Sequence, residues 1–281
     1  MKYVFFGTPR FATIVLGGLL NAGMTPVALV ANPDRPVGRK KIVTPPPTKE
    51  LIASHNARVE ILQPEKLDDT FVETLKKLKP DFFVVAAYAK IIPKAVLDIP
   101  RLGTLGVHPS LLPKYRGSSP IQSAILADER ETGTTIYLMD AKMDHGQVLA
   151  AAKIKLDSLK TSYSALEKYL AELGANLLIK IIPAFCDGHL TPKQQDEAGA
   201  TFTKKFTSED GFVTEDDLKA AERGDTTKAE TIVRKINALG AEPGVWTMRG
   251  GKRLKLLGAD VTNGSLKLTK TQKEGGKPVA L

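Results

Sequence analysis

Residues 81–87 read DFFVVAA, and every position from Phe82 onward in this run is apolar. A strand without polar alternation is typical of the middle of a parallel sheet, where helices cover both faces. A similar run, KYVFFG at residues 2–7, is followed by a helical pattern of apolar residues that extends to Ala22. These stretches predict an α/β fold built on buried parallel strands.

Outward from this strand, short apolar runs alternate with helical patterns. Strands are predicted at residues 26–31, 59–62, 103–109, 132–139 and 147–156, and helices at residues 47–53, 67–78, 120–128 and 161–186, the last with Thr161 as its N-cap. Because strands and helices alternate up to residue 87, the expected fold class is a Rossmann-like doubly wound parallel sheet with helices on both sides.

The chain has 281 residues, more than one average domain, so a large and a small domain are expected. A polar, irregular stretch typical of a linker precedes one helical pattern near residues 226–239 and short strands separated by Gly-Gly and Asn-Gly turns. The prediction is a large domain at residues 1–186, a linker at 187–206 that wraps back over it, and a small C-terminal OB-like β-barrel domain at 207–281.

The formal net charge of +9 favours a polyanionic partner, because clustered Lys and Arg gain free energy from counterion release on a phosphate backbone. Two stretches contain an excess of positively charged side chains. Residues 35–49 contain basic side chains and no acid, and in residues 246–281 the basic side chains outnumber the acids Asp260 and Glu274. The alternative is that both stretches are solvated loops that aid solubility.

Several classes of site are excluded or disfavoured by composition. Cys186 is the only cysteine, which rules out an intramolecular disulfide and a thiolate-rich zinc site. No two histidines have helical ligand spacing, so no metal is expected, and His145 is expected to be solvated. The longest apolar run expected, residues 82–89, is too short for a membrane span, and no signal peptide pattern precedes it. We therefore expect a cytoplasmic chain without membrane association.

The residues that carry chemistry follow predicted strands. The first turn reads GTPRFA rather than GxGxxG, so a Rossmann dinucleotide is not expected. Two other strand ends place His108 in HPSLLPKYRGSSP and Asp144 in MDHGQ. A histidine and a carboxylate on adjacent strand ends form a proton-transfer pair in which the acid orients the imidazole. Two alternatives stay open: a buried His108 satisfied by backbone groups, and an Asp144 that caps a turn.

Longer stretches resemble a known family. GVHPSLLPKYRGSSPIQSAIL at residues 106–126 and ETGTTIYLMDAKMDHGQVL at residues 131–149 resemble the signature of the folate-dependent formyltransferase family: Asn-x-His, then SLLPKYRG, then Asp-x-Gly. PDRPVGRKKIVTPPPTKEL at residues 33–51 resembles the basic loop of the family members that act on methionyl-tRNA. VVAAYAKIIPKAVLDIP at residues 84–100 resembles their folate-side segment.

This resemblance implies transfer of a formyl group from 10-formyltetrahydrofolate, a substrate, to the amino group of initiator methionyl-tRNA by a monomer without a metal. His108 and Asp144 would be catalytic, with Gly106 at the position of the family asparagine. Phe11 would line the methionine pocket. The residues implied for tRNA binding are Arg39, Lys40 and Lys41, together with the small C-terminal domain. The residues implied for folate binding are Ala87, Tyr88, Ala89, Ile91, Ile92, Ser110, Leu111, Leu112, Pro113 and Met143.

The chain departs from the family pattern at Gly106. Asparagine would supply a hydrogen bond to the formyl oxygen, whereas glycine leaves a gap, and loss of one such donor costs roughly 100- to 1000-fold in rate. The chain is then a slow enzyme, an engineered inactive variant, or a protein whose donor comes from elsewhere, and Gly106→Asn is predicted to raise the rate. Ala89 replaces a glycine that the family usually has, and the carboxyl terminus is expected to be short.

Rival hypotheses remain within and outside the family. Nucleotide-sugar N-formyltransferases and glycinamide ribonucleotide formyltransferase share the fold, but the first usually lack the basic loop and the second the C-terminal basic module. A non-catalytic tRNA-binding relative is the alternative from another class, and Gly106 motivates it. His108, Asp144 and the SLLPKYRG loop weigh against that alternative.

Overall fold

The computed structural model describes residues 1–38, 40–55 and 58–281. Its β-strands are β1 Tyr3–Phe6, β2 Ala28–Val30, β3 Arg35–Val37, β4 Ile42–Thr44, β5 Glu60–Leu62, β6 Phe82–Ala86, β7 Thr104–His108, β8 Glu131–Leu138, β9 Val148–Lys155, β10 Val245–Arg249, β11 Lys252–Thr262, β12 Ser265–Lys273 and β13 Val279–Ala280. Its α-helices are α1 Arg10–Asn21, α2 Pro47–Ser54, α3 Asp69–Leu78, α4 Lys94–Leu97, α5 Pro120–Leu126, α6 Tyr163–Cys186, α7 Glu215–Glu222 and α8 Thr226–Leu239.

The largest sheet has seven strands in the order β5-β2-β1-β6-β7-β8-β9. The strands from β5 to β7 pair in parallel, and β8 runs antiparallel to β7. The chain builds outward from β1 on one side and then crosses to β6 on the other, so the strand order reverses between β1 and β6. In open α/β sheets, ligands bind beyond the carboxyl ends of strands near such a reversal.

The core of this sheet is apolar on both faces. All residues of β1 and β6 are buried, as the unbroken apolar runs predicted. Tyr3 stacks on Phe82 with ring centroids 5.2 Å apart, and Phe6 packs against Phe83 at 5.0 Å. Helix α3 contributes a buried face of Phe71, Val72 and Leu75, and Asp68 caps it by accepting a hydrogen bond from the Phe71 amide.

The carboxyl-terminal sheet has the order β10-β11-β12-β13 with antiparallel pairs throughout. A shift of register at Gly258 marks a bulge between β11 and β12. Helix α8 contacts β11 and β12 with the apolar face that the sequence pattern predicts. The predicted fold class, a doubly wound α/β sheet followed by a small antiparallel β-domain, is confirmed.

The chain divides into two compact units. One comprises residues 1–116, 133–153 and 168–201, and the other comprises 117–132, 154–167 and 202–281. Within the first unit, Lys193 pairs with Val148 and the Arg116 amide donates to the Thr201 carbonyl, so most of the predicted linker packs as part of this unit. The domain boundaries predicted after residues 186 and 206 stay a prediction about separately folding domains.

Local details differ from the sequence-based expectations in the basic loop and the carboxyl-terminal half. Residues expected as a basic loop include the two-stranded hairpin β3–β4, and helix α7 was not predicted. Helix α6 begins at Tyr163, and the Ser162 hydroxyl, rather than Thr161, accepts from the Ala165 amide at 3.4 Å.

Helix α6 also corrects the prediction that no apolar run reaches the length of a membrane span. By length and composition this helix is long and apolar enough to cross a membrane, although 44% of its most apolar window is buried inside the protein. Its buried residues Leu166, Leu170, Leu178 and Ile182 pack into the protein core. A buried core helix passes the same length test, so α6 is accounted for by packing.

Candidate active site

His108 is the last residue of β7, and its side chain is buried at the carboxyl end of the sheet. The imidazole Nε2 lies 2.9 Å from the Tyr115 carbonyl oxygen. Because a carbonyl only accepts hydrogen bonds, Nε2 carries a proton, and in the neutral ring Nδ1 holds the lone pair. The backbone therefore fixes which nitrogen of His108 is free to take a proton.

Asp144 lies in the loop between β8 and β9 and faces that nitrogen. Its Oδ2 is 3.6 Å from His108 Nδ1, and its Oδ1 accepts a hydrogen bond of 2.6 Å from the Tyr137 hydroxyl. The residue has a φ of 48°, in the left-handed region that Asp tolerates better than most side chains. The structure thus brings together the predicted pair His108 and Asp144, and Asp144 does more than cap a turn.

Gly106 stands directly opposite Tyr137 in the pairing of β7 and β8. A Cβ atom added at Gly106 would lie 2.4 Å from Tyr137 Cε1 and 2.9 Å from its hydroxyl oxygen. The gap expected at Gly106 is therefore filled by an aromatic side chain. The prediction that Gly106→Asn raises the rate overlooked this ring, which a side chain at 106 would have to displace.

The loop that carries Asp144 is fixed by backbone contacts. A Cβ at Gly146 would lie 1.7 Å from the Leu138 carbonyl oxygen, so only glycine fits this position. The Gln195 amide donates to the carbonyl oxygens of Asp144 and Gly146 at 2.9 and 2.8 Å. The loop is thereby held from two sides.

Arg116 supports Gln195 from the core. Its side chain is 2% exposed, and its guanidinium donates to Gln195 Oε1 through Nε and Nη2 and to the Glu197 carboxylate at 2.6 and 3.1 Å. Hydrogen bonding from Arg116 lowers the pKa of Glu197 below its usual value. A buried guanidinium needs such partners, and here they connect the KYRG turn to the Asp144 loop.

The SLLP turn is tied to β8. The Thr135 hydroxyl donates to the Ser110 carbonyl at 2.7 Å and accepts from the Leu112 amide at 3.1 Å, while the Ser110 hydroxyl donates to the Lys114 carbonyl at 2.6 Å. Ser110 is buried, whereas the other predicted folate residues of this turn, Leu111, Leu112 and Pro113, are half-buried. The turn therefore has a fixed backbone next to His108.

The predicted folate segment follows β6, whose Ala86 pairs with Val107 beside His108. Ala87 and Ala89 are exposed, and Ile91 is 92% exposed. Tyr88 packs against Phe6 at 5.6 Å, and burial raises its pKa to about 12. The Tyr88 hydroxyl is buried and has no hydrogen-bond partner among the residues that the structure describes.

The remaining predicted site residues differ in exposure. Ile92 packs against the apolar core, and Met143, beside Asp144, is 64% exposed. Phe11 is buried in the first turn of α1. Lys40 and Lys41 are exposed in the turn of the β3–β4 hairpin, and Arg39 lies outside the described residues.

Four residues around the site were missed or left without a role by sequence reasoning: Tyr137, Arg116, Gln195 and Glu197. Arg116 lies in the quoted KYRG motif, which was a signal, whereas Gln195 and Glu197 come from the predicted linker. His145, expected to be solvated, is half-buried and pairs with Asp140 at 2.6 Å. Within residues 1–38, 40–55 and 58–281, no three His, Cys, Asp or Glu side chains form a group suited to a metal ion.

Comparison with known proteins agrees with this geometry. The sequence profile of the family described as "Formyl transferase" matches residues 1–182, and the profile "Formyl transferase, C-terminal domain" matches residues 226–277. This chain belongs to the formyl transferase family. The first profile covers the seven-stranded sheet, and the second covers strands β10 to β12 of the antiparallel sheet.

Individual family members extend the comparison. A methionyl-tRNA formyltransferase of Chloroflexus aurantiacus is 41% identical over 264 residues, which cover 94% of this chain and 81% of that protein. The N-formyltransferase from Helicobacter canadensis, solved with folinic acid and dTDP-3-aminofucose, has a TM-score of 0.67 at 15% identity and covers 100% of this chain and 98% of its own. The methionyl-tRNA formyltransferase from Clostridium thermocellum has a TM-score of 0.61 at 17% identity, covering 97% and 98%. These two structures share the fold.

Proposed function

We propose that this chain transfers a formyl group from 10-formyltetrahydrofolate to the α-amine of methionine esterified to initiator tRNA. The observation that carries the proposal is the buried pair of His108 and Asp144 at the carboxyl end of the sheet. This pair lies in a chain of the formyl transferase family that is 41% identical to a protein named methionyl-tRNA formyltransferase. The chain is proposed to act as a monomer in the cytoplasm.

The reaction needs a base near the attacking amine. The amine nitrogen attacks the formyl carbon, the bond from that carbon to N10 of the folate breaks, and the amine proton ends on N10. His108 Nδ1 is the atom suited to take the proton from the amine, because Nε2 is already bound to the Tyr115 carbonyl. Asp144 Oδ2, 3.6 Å away, then stabilises the imidazolium until the proton passes to N10.

The formyl donor is proposed to bind along the segment that follows β6, the strand that pairs with β7. Ile91 and Met143 have exposed apolar side chains, and the buried Tyr88 hydroxyl has no hydrogen-bond partner in the described part of the chain. Exposed apolar side chains suit the flat ring system of a folate. These features support folate binding by Ala87, Tyr88, Ala89, Ile91 and Ile92, by the turn from Ser110 to Pro113, and by Met143.

The tRNA partner is supported by charge. Lys40 and Lys41 are exposed in the turn of a hairpin that carries no acidic residue. Lysines on an exposed hairpin suit a phosphate backbone, because their binding releases counterions from it. Arg39, which completes the cluster in the sequence, and Phe11, as part of the methionine pocket, keep the roles that the family resemblance implies.

The acceptor distinguishes this proposal from its rivals. We expect purified protein with 10-formyltetrahydrofolate to formylate initiator methionyl-tRNA and to leave a dTDP-linked aminosugar unchanged. The matched control is His108→Ala, which keeps the basic hairpin. Product on the aminosugar alone would replace the tRNA with a sugar acceptor, and tRNA binding without any product would favour the non-catalytic binder.

A further inference from the structure

Tyr137 occupies the space beside Gly106. The two residues are paired across β7 and β8, and the ring lies where a side chain at 106 would begin: a Cβ there would be 2.4 Å from Cε1, 2.6 Å from Cζ and 2.9 Å from the hydroxyl oxygen. Real Cβ atoms do not approach other atoms this closely. Tyr137 can therefore occupy this position only because residue 106 is glycine.

The ring carries its hydroxyl to the proton-transfer pair. Tyr137 is 3% exposed, and its hydroxyl lies 2.6 Å from Asp144 Oδ1. Burial, with a smaller contribution from the nearby Asp144 charge, raises the Tyr137 pKa well above its usual value. The phenol therefore stays protonated at neutral pH and donates a hydrogen bond to the carboxylate.

We propose that Tyr137 is a positioning residue of this site, whose hydroxyl holds Asp144 Oδ1 and thereby directs Oδ2 at His108 Nδ1, in the place left by the side chain that Gly106 lacks. This inference rests on the formyl transfer proposed above. Tyr137 acts through Asp144, and Gly106 and Tyr137 form one exchangeable unit. The glycine thereby makes room for a ring whose hydroxyl reaches the Asp144 carboxylate.

The carboxylate geometry explains why the hydroxyl matters. Asp144 contacts His108 at 3.6 Å through one oxygen, too long for a strong hydrogen bond, so the approach depends on how the carboxylate is turned. A short hydrogen bond to the other oxygen fixes that rotation before the reaction begins. When Nδ1 takes a proton, the oriented Oδ2 has only to close the remaining distance.

The first test removes only the hydroxyl. Tyr137→Phe is expected to lower kcat about 10- to 100-fold, as for loss of a hydrogen bond to a charged group, while KM for both substrates stays within about twofold. Tyr3→Phe is the matched control, because it removes a buried hydroxyl bonded to the Met24 carbonyl, and its kcat should equal that of the unchanged protein. An unchanged kcat in Tyr137→Phe would overturn the inference.

The second test exchanges the pair. Gly106→Asn alone should lower the rate, because its Cβ displaces the Tyr137 ring, and Tyr137→Leu alone should lower it by removing the hydroxyl. The double variant has room for the asparagine and should be faster than the product of the two single losses predicts. Losses that simply multiply would mean that residues 106 and 137 do not form one unit.

A spectroscopic measurement separates this inference from the proposed function. The ¹⁵N resonances of the His108 imidazole should move in Tyr137→Phe and stay in place in Tyr3→Phe, because only the first releases Asp144. This readout needs no substrate. If the unchanged protein formylates nothing, the proposed function fails and the resonances still test the positioning; if the protein is active and the resonances do not move, the positioning alone fails.

Discussion

His108 is the residue on which the proposed chemistry depends most. We expect His108→Ala to reduce formylation at least 100-fold, because Nδ1 is the proposed base for the amine and faces Asp144. Folate affinity should stay nearly unchanged, since the donor is expected to be held by backbone and apolar groups. Kinetic assays with equilibrium folate binding measure both effects.

The control for this variant is His189→Ala, which changes an exposed histidine in the segment after α6. It should keep full activity and full folate affinity. An equal loss of folate affinity in His108→Ala would assign the imidazole to donor binding and remove it from the proton-transfer step.

The value of sequence reasoning differed among individual residues. His108 and Asp144 could be found because strand ends next to a histidine and an acid are visible along the chain. Tyr137 could not be found in this way, because its role depends on the strand register that places it opposite Gly106. The register of a strand pair cannot be inferred from the sequence of one strand alone. Gln195 is likewise recruited to Asp144 across 51 positions of sequence.

Among structural elements, the turn after β8 imposes the tightest constraint. We expect Gly146→Ala to destabilise the protein by about 1–3 kcal/mol and to lower formylation, because the new Cβ would overlap the Leu138 carbonyl and push the Asp144 loop away. Thermal unfolding and initial rates test this expectation.

A glycine with space around it provides the comparison. A Cβ at Gly17, within α1, would meet only Leu51 at 3.7 Å, so Gly17→Ala should keep activity and raise stability by about 0.5–1 kcal/mol. If Gly146→Ala were as harmless as Gly17→Ala, the loop would be looser than its contacts imply.

The β3–β4 hairpin is the element proposed to contact RNA. Lys40→Ala with Lys41→Ala should lower the salt dependence of tRNA binding by about one unit of log–log slope per lost phosphate contact, with folate affinity unchanged. The measurement is tRNA affinity across a salt series. Lys76→Ala with Lys77→Ala, on exposed positions of α3, should leave the slope unchanged. Equal slopes in both double variants would make the hairpin a solvated surface feature.

Buried elements were predicted better than exposed ones. Strands β1 and β6 are buried along their whole length, so hydrophobicity alone locates them to within a residue or two. Strand β3 is fully exposed, and neither it nor β4 has the apolar alternation that marks a half-buried strand. Their pairing comes from backbone hydrogen bonds, which leave little trace in composition.

At the scale of the whole molecule, the doubly wound sheet and the antiparallel carboxyl-terminal sheet were both predictable from the order of their elements. The division of the chain was harder. Residues 117–132 and 154–167 are grouped with the carboxyl-terminal residues, although they lie within the predicted large domain. Helix α5, for example, contacts α8, and such a long-range contact cannot be inferred from local pattern.

We propose that this chain catalyses formyl transfer with glycine at position 106. The most direct measurement is the single-turnover rate of formyl transfer from 10-formyltetrahydrofolate to initiator methionyl-tRNA, with excess enzyme and with His108→Ala as the background. We expect formylmethionyl-tRNA to form at a rate at least 100-fold above that background. A rate for the unchanged protein equal to that of His108→Ala, with both proteins folded and binding tRNA, would contradict it.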